Sequence, residues 1–421
     1  MSVIAKSEEG FLLDHKEASV LSIYDEKSAD CSRHWMLKQE LFEINHPFRM
    51  DSQFEKVQSQ EEKTEEPVKV KRKRKRVAPL NAGEVLAEEY HQEVKGYVNK
   101  AYVELIEIGK QNHYFIDQNF HELTDNNMAA RQAALLNVVE PDFITLCERQ
   151  PGGVEKIRVE KDIEISSQRI VNNIIENDSQ QSVVLKYINH QYIVPHCSSF
   201  LMTDIHNLKI FSKDLGRYDL IVMDPPWENK SVKRKKMYYT LDNEMLLDMP
   251  LDELMLPGCV LVVWVTNKQK HIKFVQDELF RKFGIEYIGR WYWLKVTKSG
   301  ECVFDLNYQH KKPYETLIIG KLRKPCCHGN RVNEHINKVD VTNDDILCAC
   351  HSIQVPDNQV LISVPCSLHS KKPPLTDVLT QYLPENARYL ELFARNLQPN
   401  WTSWGNEVLL HQNHGYYEEV T

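Results

Sequence analysis

The chain has 421 residues, of which 42% are hydrophobic and 9% aromatic, which is ample for a sizeable core and for two to three domains. Formal net charge is -8 but unevenly placed, and ten cysteines are scattered without a disulfide-like framework, which points to free thiols in a reducing compartment. The opening MSVIAKSEEG has no basic stretch leading into an apolar one, and no window approaches the length of a membrane span, so neither a signal peptide nor a membrane partner is expected.

Residues 1–80 read as a weakly structured region with the apolar fragments Phe11-Leu12-Leu13 and Trp35-Met36-Leu37. It closes on an acidic block and then the basic run 69–77, within which Lys71 to Arg76 are consecutive cations. Such a run repels itself and stays extended; it suits nuclear import machinery, a phosphate-binding arm or a plain solvated linker. Residues 84–185 read as a mostly helical accessory domain. Val85, Leu86, Tyr90, Val94, Tyr97, Val98, Tyr102 and Leu105 recur at helical spacing and mark one buried face. Further helices are expected near Asn127 to Val139, ahead of Pro141, and near Ile163 to Ile175.

From 190 to 415 the texture changes. Short apolar runs at 192–197, 219–224, 259–266, 288–296, 315–320, 359–364 and 388–393 predict strands. Helical candidates lie between them: Asn243 to Leu254, Asn267 to Phe283, and Pro374 to Tyr382. Continuous apolar strands alternating with helices predict an α/β, Rossmann-like domain with a largely parallel sheet, whose ligands bind beyond the carboxyl ends of the strands. A polar loop insertion, 324–356, interrupts it. Cys326, Cys327 and His328 sit at one end and Cys348, Cys350 and His351 at the other. Their pairs are adjacent or one residue apart, too close for ordinary zinc spacing, so a mobile insertion is the better reading and no metal is expected.

The chemically informative stretch is RYDLIVMDPPWEN, 217–229. An apolar strand ends on Asp224, and Pro225 forces that residue to be extended. Pro225 and Pro226 remove two backbone donors, leaving a rigid corner of acceptors, and Trp227 adds a flat ring. Acceptors beside a stacking platform suit a planar heterocycle carrying an NH2 group, such as adenine. The Asp224 carboxylate and the Pro225 carbonyl can grip the two N–H bonds, free the nitrogen lone pair and take the departing proton. Stacking on Trp227 would add roughly 1–3 kcal/mol. Taken alone, an acid, two prolines and a ring also describe an ordinary surface turn.

The wider context resembles the adenine-N6 methyltransferase family that carries DPPW, the family of the RNA N6-methyladenosine writers, and most of all its methyltransferase-like protein 4 branch. Residues 195–410 carry the resemblance: TDI at 203–205, YDLIVMDPPW, LVVWVTN, WLKVT, the element at 312–315, SKKP at 370–373 and ELFAR…QPNW…GNE. The resemblance implies S-adenosyl-L-methionine as methyl donor and a permuted motif order, with the donor half C-terminal to DPPW. It implies that Asp204 and Ile205 meet the cofactor's adenine, that Lys372 approaches its carboxylate, that Arg395, Asn396, Asn406 and Glu407 surround its ribose, and that Asp224 borders it. Ala394 stands where the family commonly has glycine, and Glu407 where a relative has glutamine. For the acceptor, the resemblance implies nucleic acid, RNA ahead of DNA, and for this branch 2'-O-methyladenosine in U2 small nuclear RNA, in the nucleus with the cytosol as a second compartment.

Lys230, Lys233, Arg234, Lys235 and Lys236 could neutralise phosphates or form a solvated loop. Tyr238 and Glu315 are placed at the substrate by the resemblance. Trp264 and Trp293 sit in strand patterns and read as core, with Trp293 also a candidate for the pocket rim; His310 reads as structural. Two rivals stand beside the enzyme reading: a non-catalytic RNA-binding scaffold that keeps the fold, and an amino-methylating enzyme acting on DNA adenine or a protein amide.

Overall fold

The computed structural model describes residues 2–21, 34–48, 82–116, 126, 128–136, 154–228, 242–308, 311–323 and 354–420. The basic run 69–77, Lys230, Lys233, Arg234, Lys235, Lys236, Tyr238, His310 and the Cys/His clusters of the insertion lie outside the described residues.

The chain opens with an antiparallel hairpin, β1 (Val3–Ser7) and β2 (Gly10–Leu13). After β3 (His34–Leu37) comes a long helix, Ala82–Gln111. Then follow β4 (Lys156–Arg158), β5 (Ile163–Ile165), β6 (Ile174–Asn177), β7 (Val183–Tyr187) and β8 (His190–Val194). The remaining strands are β9 (Ser198–Leu201), β10 (Tyr218–Met223), β11 (Met255–Val265), β12 (Ile285–Lys295) and β13 (Tyr314–Leu322). Last come β14 (Val360–Ser363), β15 (Tyr389–Leu392), β16 (Trp401–Trp404) and β17 (Tyr417–Val420).

Among the described residues, twelve strands form one sheet in the order β1-β2-β14-β12-β13-β11-β10-β15-β16-β9-β6-β4. β10 pairs in parallel with β11 on one side and β15 on the other, and β15 continues in parallel to β16 and β9. β13 runs antiparallel between β11 and β12, and β12, β14 and β2 are again parallel. So β2, β14, β12, β11, β10, β15, β16 and β9 all end on one edge. That edge is where an open α/β sheet offers its ligand crevice.

The strands read as continuous apolar runs because both faces are covered. Ile221, Met223, Leu261, Val263, Tyr292, Tyr314 and Ile318 face the long helix and the segments Leu208–Leu215 and Phe274–Leu279. Leu220, Val222, Val262, Trp264, Trp291, Trp293 and Leu317 pack on the other face against Leu375, Val378 and Leu379.

Several expectations are corrected. The first 80 residues are not uniformly weakly structured: β2 joins β14 in parallel and β3 pairs with β17. The close approach is possible because Gly10 (φ 152°) has no Cβ, which would otherwise lie 1.9 Å from the Val360 carbonyl oxygen. The expected helix over 163–175 is two strands flanking the short helix Ser167–Ile170, since Ile163 and Ile165 alternate and start a strand. Among the described residues of 84–185, helix prevails up to 136 and strands from 156 onward, where β6 and β4 extend the main sheet beyond β9. The run at 192–197 is only partly a strand; β8 belongs to a separate sheet, β5-β7-β8. On the long helix, Tyr90, Val94, Val98, Ala101 and Leu105 are buried, whereas Val85 and Leu86 are 40% and 50% exposed. Tyr97 also lies at the surface.

Candidate active site

Asp224 follows β10 directly at the shared carboxyl edge, and its backbone N–H donates to the Leu392 carbonyl of β15 (3.4 Å). Side chains alternate across the strand, so Val222 and Asp224 face the side of the sheet that carries Trp264 and Trp293. Beyond them lies a narrow cleft lined by Asp224, Ser370, Lys372, Glu391, Arg395 and Asn396, among others.

Charged groups alternate across this cleft. Lys295 pairs with Glu315; Glu315 also meets Lys372 at 3.0 Å; Lys372 meets Asp224 at 3.1 Å. Arg395 lies 3.8 Å from Asp224 and donates from Nε to Glu407 at 3.0 Å. Burial alone would raise the Glu315 pKa, but Lys372 and Lys295 hold its carboxyl well below the usual carboxylate range. Burial would lower the pKa of Lys372, and Asp224 and Glu315 more than offset this, so the ammonium is retained. Asp224 is thus an acceptor held between two cations, Lys372 and Arg395. Glu391, on β15, differs: burial pushes its pKa up to about 7, against the opposing hydrogen bond from Gln398 (3.0 Å).

The DPPW corner crosses from one face of the sheet to the other. Trp227 is 9% exposed and belongs to the core on the opposite face. Its indole N–H donates to the Trp264 carbonyl (2.7 Å), and its ring stacks on His271 at 4.7 Å and 20°. The expectation of a base-stacking Trp227 is corrected: that ring is committed to His271 and locks the corner in place. Lys268 donates to the Glu228 carbonyl (3.1 Å) and Lys270 pairs with the Glu228 carboxylate (3.1 Å), fixing the exit from the corner. The Pro225 carbonyl accepts the Trp227 backbone N–H (2.8 Å) and keeps a second lone pair.

The structure brings Asp224, Lys372, Arg395, Asn396 and Glu315 together, with Glu407 joined through Arg395. Asp204 and Ile205 follow β9 on the same edge. Asp204 caps the turn Ile205–Asn207, accepting from the His206 backbone N–H (2.9 Å) and pairing with its ring. Neither lines the cleft around Asp224, and Asn406 is exposed. Trp293 is not at a rim: it is 1% exposed, donates to Ser363 (2.9 Å) and lies under the Lys295 ammonium, 4.5 Å from its ring. Ala394 needs no glycine because the left-handed residue of its loop is its neighbour Phe393 (φ 62°). The glycine this loop does need is Gly405, where a Cβ would lie 2.6 Å from the Ala394 carbonyl oxygen.

Sequence reasoning missed Lys295, Ser370 and Gln398, whereas the carboxylate of RYLELF, Glu391, is legible as an acceptor for ribose hydroxyls at the end of a strand. Lys295 was visible inside WLKVT, but only the structure shows that it pairs with Glu315.

An acceptor corner, a buried carboxylate between cations and a cleft at the switch between β10 and β15 define an α/β group-transfer enzyme. Comparison with known proteins fixes the class. Residues 218–407 match the family described as MT-A70. The human protein named N(6)-adenine-specific methyltransferase METTL4 is 34% identical over 406 residues, covering 92% of this chain and 82% of its own. A Caenorhabditis elegans protein named DNA N6-methyl methyltransferase is 28% identical over 384 residues, 89% of this chain and 90% of its own. The Cryphonectria parasitica protein named N6-methyladenosine RNA methyltransferase MTA1 is 34% identical over 239 residues, 54% of this chain and 62% of its own. The chain is an adenine-N6 methyltransferase. It belongs to the MT-A70 family.

Proposed function

We propose that the chain transfers a methyl group from S-adenosyl-L-methionine to N6 of an unpaired adenosine in nucleic acid, RNA ahead of DNA. The observation that carries this reading is the Asp224 carboxylate, held by Lys372 and Arg395 at the mouth of the cleft and followed by the donor-free Pro225-Pro226 corner. The cleft suits the donor chemically. Lys372 and Arg395 can meet a carboxylate, and Glu391 and Asn396 offer partners for an ammonium and for ribose hydroxyls. Asp204 and Ile205 would meet the adenine at the far end of the same edge. The donor supplies an electrophilic methyl on sulfonium sulfur.

In this reading Asp224 and the free lone pair of Pro225 accept the two N–H bonds of the adenine amine and orient its nitrogen for in-line attack. The new bond is N–CH3 and the broken one S–CH3. The proton leaves nitrogen for Asp224 or for water. Glu315, kept ionised by Lys295 and Lys372, meets the acceptor nucleoside. Lys372 is shared by Asp224 and Glu315, so it ties the two acceptor-side carboxylates together.

The strand order supports a permuted arrangement, because β15, with the donor-side residues, lies beside β10 yet follows it in the chain. A duplex target would have to be flipped out, so single-stranded adenosine is the easier acceptor. By family resemblance the acceptor is 2'-O-methyladenosine in U2 small nuclear RNA, and the basic run 69–77 directs the chain to the nucleus through the import machinery.

The test is transfer of labelled methyl to matched oligonucleotides carrying deoxyadenosine, adenosine or 2'-O-methyladenosine, with wild type and Asp224→Ala compared. N6-methylated product from wild type alone is expected, most from the 2'-O-methylated RNA. Preference for deoxyadenosine would move the acceptor to DNA, and measurable donor binding with no product would overturn the acceptor class.

A further inference from the structure

Glu315 reaches the cleft from one face of β13, and its two chain neighbours point to the other face. There the long helix Ala82–Gln111 holds both of them. His91 Nδ1 is hydrogen-bonded to the Tyr314 hydroxyl at 2.9 Å, and the two rings stack at 5.8 Å and 10°. The Tyr90 hydroxyl lies 3.3 Å from Thr316 Oγ1. Thr316 in turn donates to Asn267 Oδ1 (3.1 Å), and Asn267 Nδ2 donates to the Tyr314 carbonyl (3.0 Å). With the Thr316 proton given to Asn267, Tyr90 is the donor in its own bond. Tyr314 and Thr316 are fully buried, and burial keeps both phenols protonated and His91 neutral.

Further pairs pin the same flank of the helix. Glu93 pairs with Arg290 (3.0 Å), Lys95 donates to Asn307 (2.6 Å), and Glu88 lies 4.0 Å from Lys312. Every one of these contacts falls on β12, on β13 or on the connection between them. A helix held only for burial would need none of them, since Val94, Val98, Ala101 and Leu105 already supply an apolar seam.

We infer that Tyr90 and His91 are positioning residues for the transfer reaction. From behind the sheet they fix Tyr314 and Thr316, and so set where the Glu315 carboxylate meets the acceptor. This rests on the reading above that Glu315 faces the acceptor nucleoside. The ladders to β11 and β12 hold this backbone within the sheet, and the two side-chain bonds add a hold from the face behind it. Glu315 therefore inherits its aim from the accessory helix, while the donor-side residues on β15 and its loop touch none of this network.

The test uses the full chain with Tyr90→Phe, which removes one oxygen, His91→Ala, and His91→Asn, whose side-chain amide can still bond Tyr314. The readouts are kcat and KM for the RNA oligonucleotide, donor affinity by calorimetry, and the melting temperature. Loss of one such bond is expected to lower kcat/KM for the acceptor about threefold to tenfold, with donor affinity held within about twofold and His91→Asn largely restored. In a Glu315→Gln background the His91→Ala loss should shrink towards nothing, because the positioned charge is already gone. A full His91→Ala loss in that background, an equal loss of donor affinity, or no loss at all would each overturn the positioning role. A Glu315→Gln enzyme with unchanged acceptor kinetics would instead remove Glu315 from the acceptor site, and the positioning role with it.

Discussion

At the scale of the residue, Asp224 and Trp227 stand three positions apart and do opposite work. In the proposed reaction Asp224 is the working acceptor. Asp224→Asn keeps its shape but leaves Lys372 and Arg395 facing a neutral amide. Its kcat should fall about 10²- to 10⁴-fold with little change in melting temperature, read in the labelled-methyl assay. Trp227 is an anchor. Trp227→Ala should cost roughly 3–5 kcal/mol of stability in chemical denaturation, as for other large buried rings. A Trp227→Ala protein that melts like wild type and loses only acceptor affinity would restore the stacking role.

Glu391 gives a pH dependence with a definite sign. Its folded pKa is raised to about 7, above the unfolded carboxylate value. Its stabilising contribution is therefore fully present below the unfolded pKa and is lost as pH rises through about 7. Buried histidines with lowered pKa values, His271 (to about 4) and His15 (to about 3) among them, act the other way and lose their contribution as pH falls below 6.5. The Glu391 effect is isolated by difference. Between pH 5 and 7, wild type should lose stability relative to Glu391→Gln by up to about 1.4 kcal/mol per pH unit. Parallel curves for the two proteins in urea titrations would show that Glu391 is ionised throughout.

At the scale of the element, what was legible depended on how local the cause was. The strand ending on Asp224 and the seam of the long helix could be read because apolar spacing alone creates them. The run Ile163 to Ile175 was misread because isoleucine at several spacings fits either period, and only pairing with β7 and β9 settles it. β9 and β16 are four-residue strands, too short for periodicity to register. In the site, DPPW announced the acceptor. Lys295 did not announce itself, because its role comes from its pairing with Glu315 on a strand distant in sequence. The loop after β15 shows the same dependence: the constraint falls on Gly405, directly after the end of β16. Gly405→Ala should cost about 1–3 kcal/mol and weaken donor binding, as measured by melting and calorimetry. Unchanged donor affinity would mean the loop can shift without moving Arg395.

At the scale of the molecule, the proposed reaction puts the donor half on β15, β16 and β9 and the acceptor half on β10, β11, β12 and β13 of one sheet. The long helix and the first hairpin both stand on the acceptor side. The hairpin also covers the edge of β14, and His15 just beyond it packs against Trp293, edge to face at 6.0 Å. Deleting residues 2–21 should therefore lower the melting temperature and expose an edge that promotes association, visible by light scattering.

The pairing of Gly10 with Val360 also sets a timetable for synthesis. The hairpin leaves the ribosome early, and the strand it must join is made some 350 residues later. At about 5–20 residues per second that is a delay of roughly 20–70 s. Throughout it, Phe11 and Leu13 are paired only with β1 and lack the later side chains they pack against, Trp291 and Leu361 among them. A nascent chain of this kind is a natural client for chaperones that shield apolar segments, and slowed translation upstream of codon 360 should lower the yield of native enzyme more than slowing beyond it.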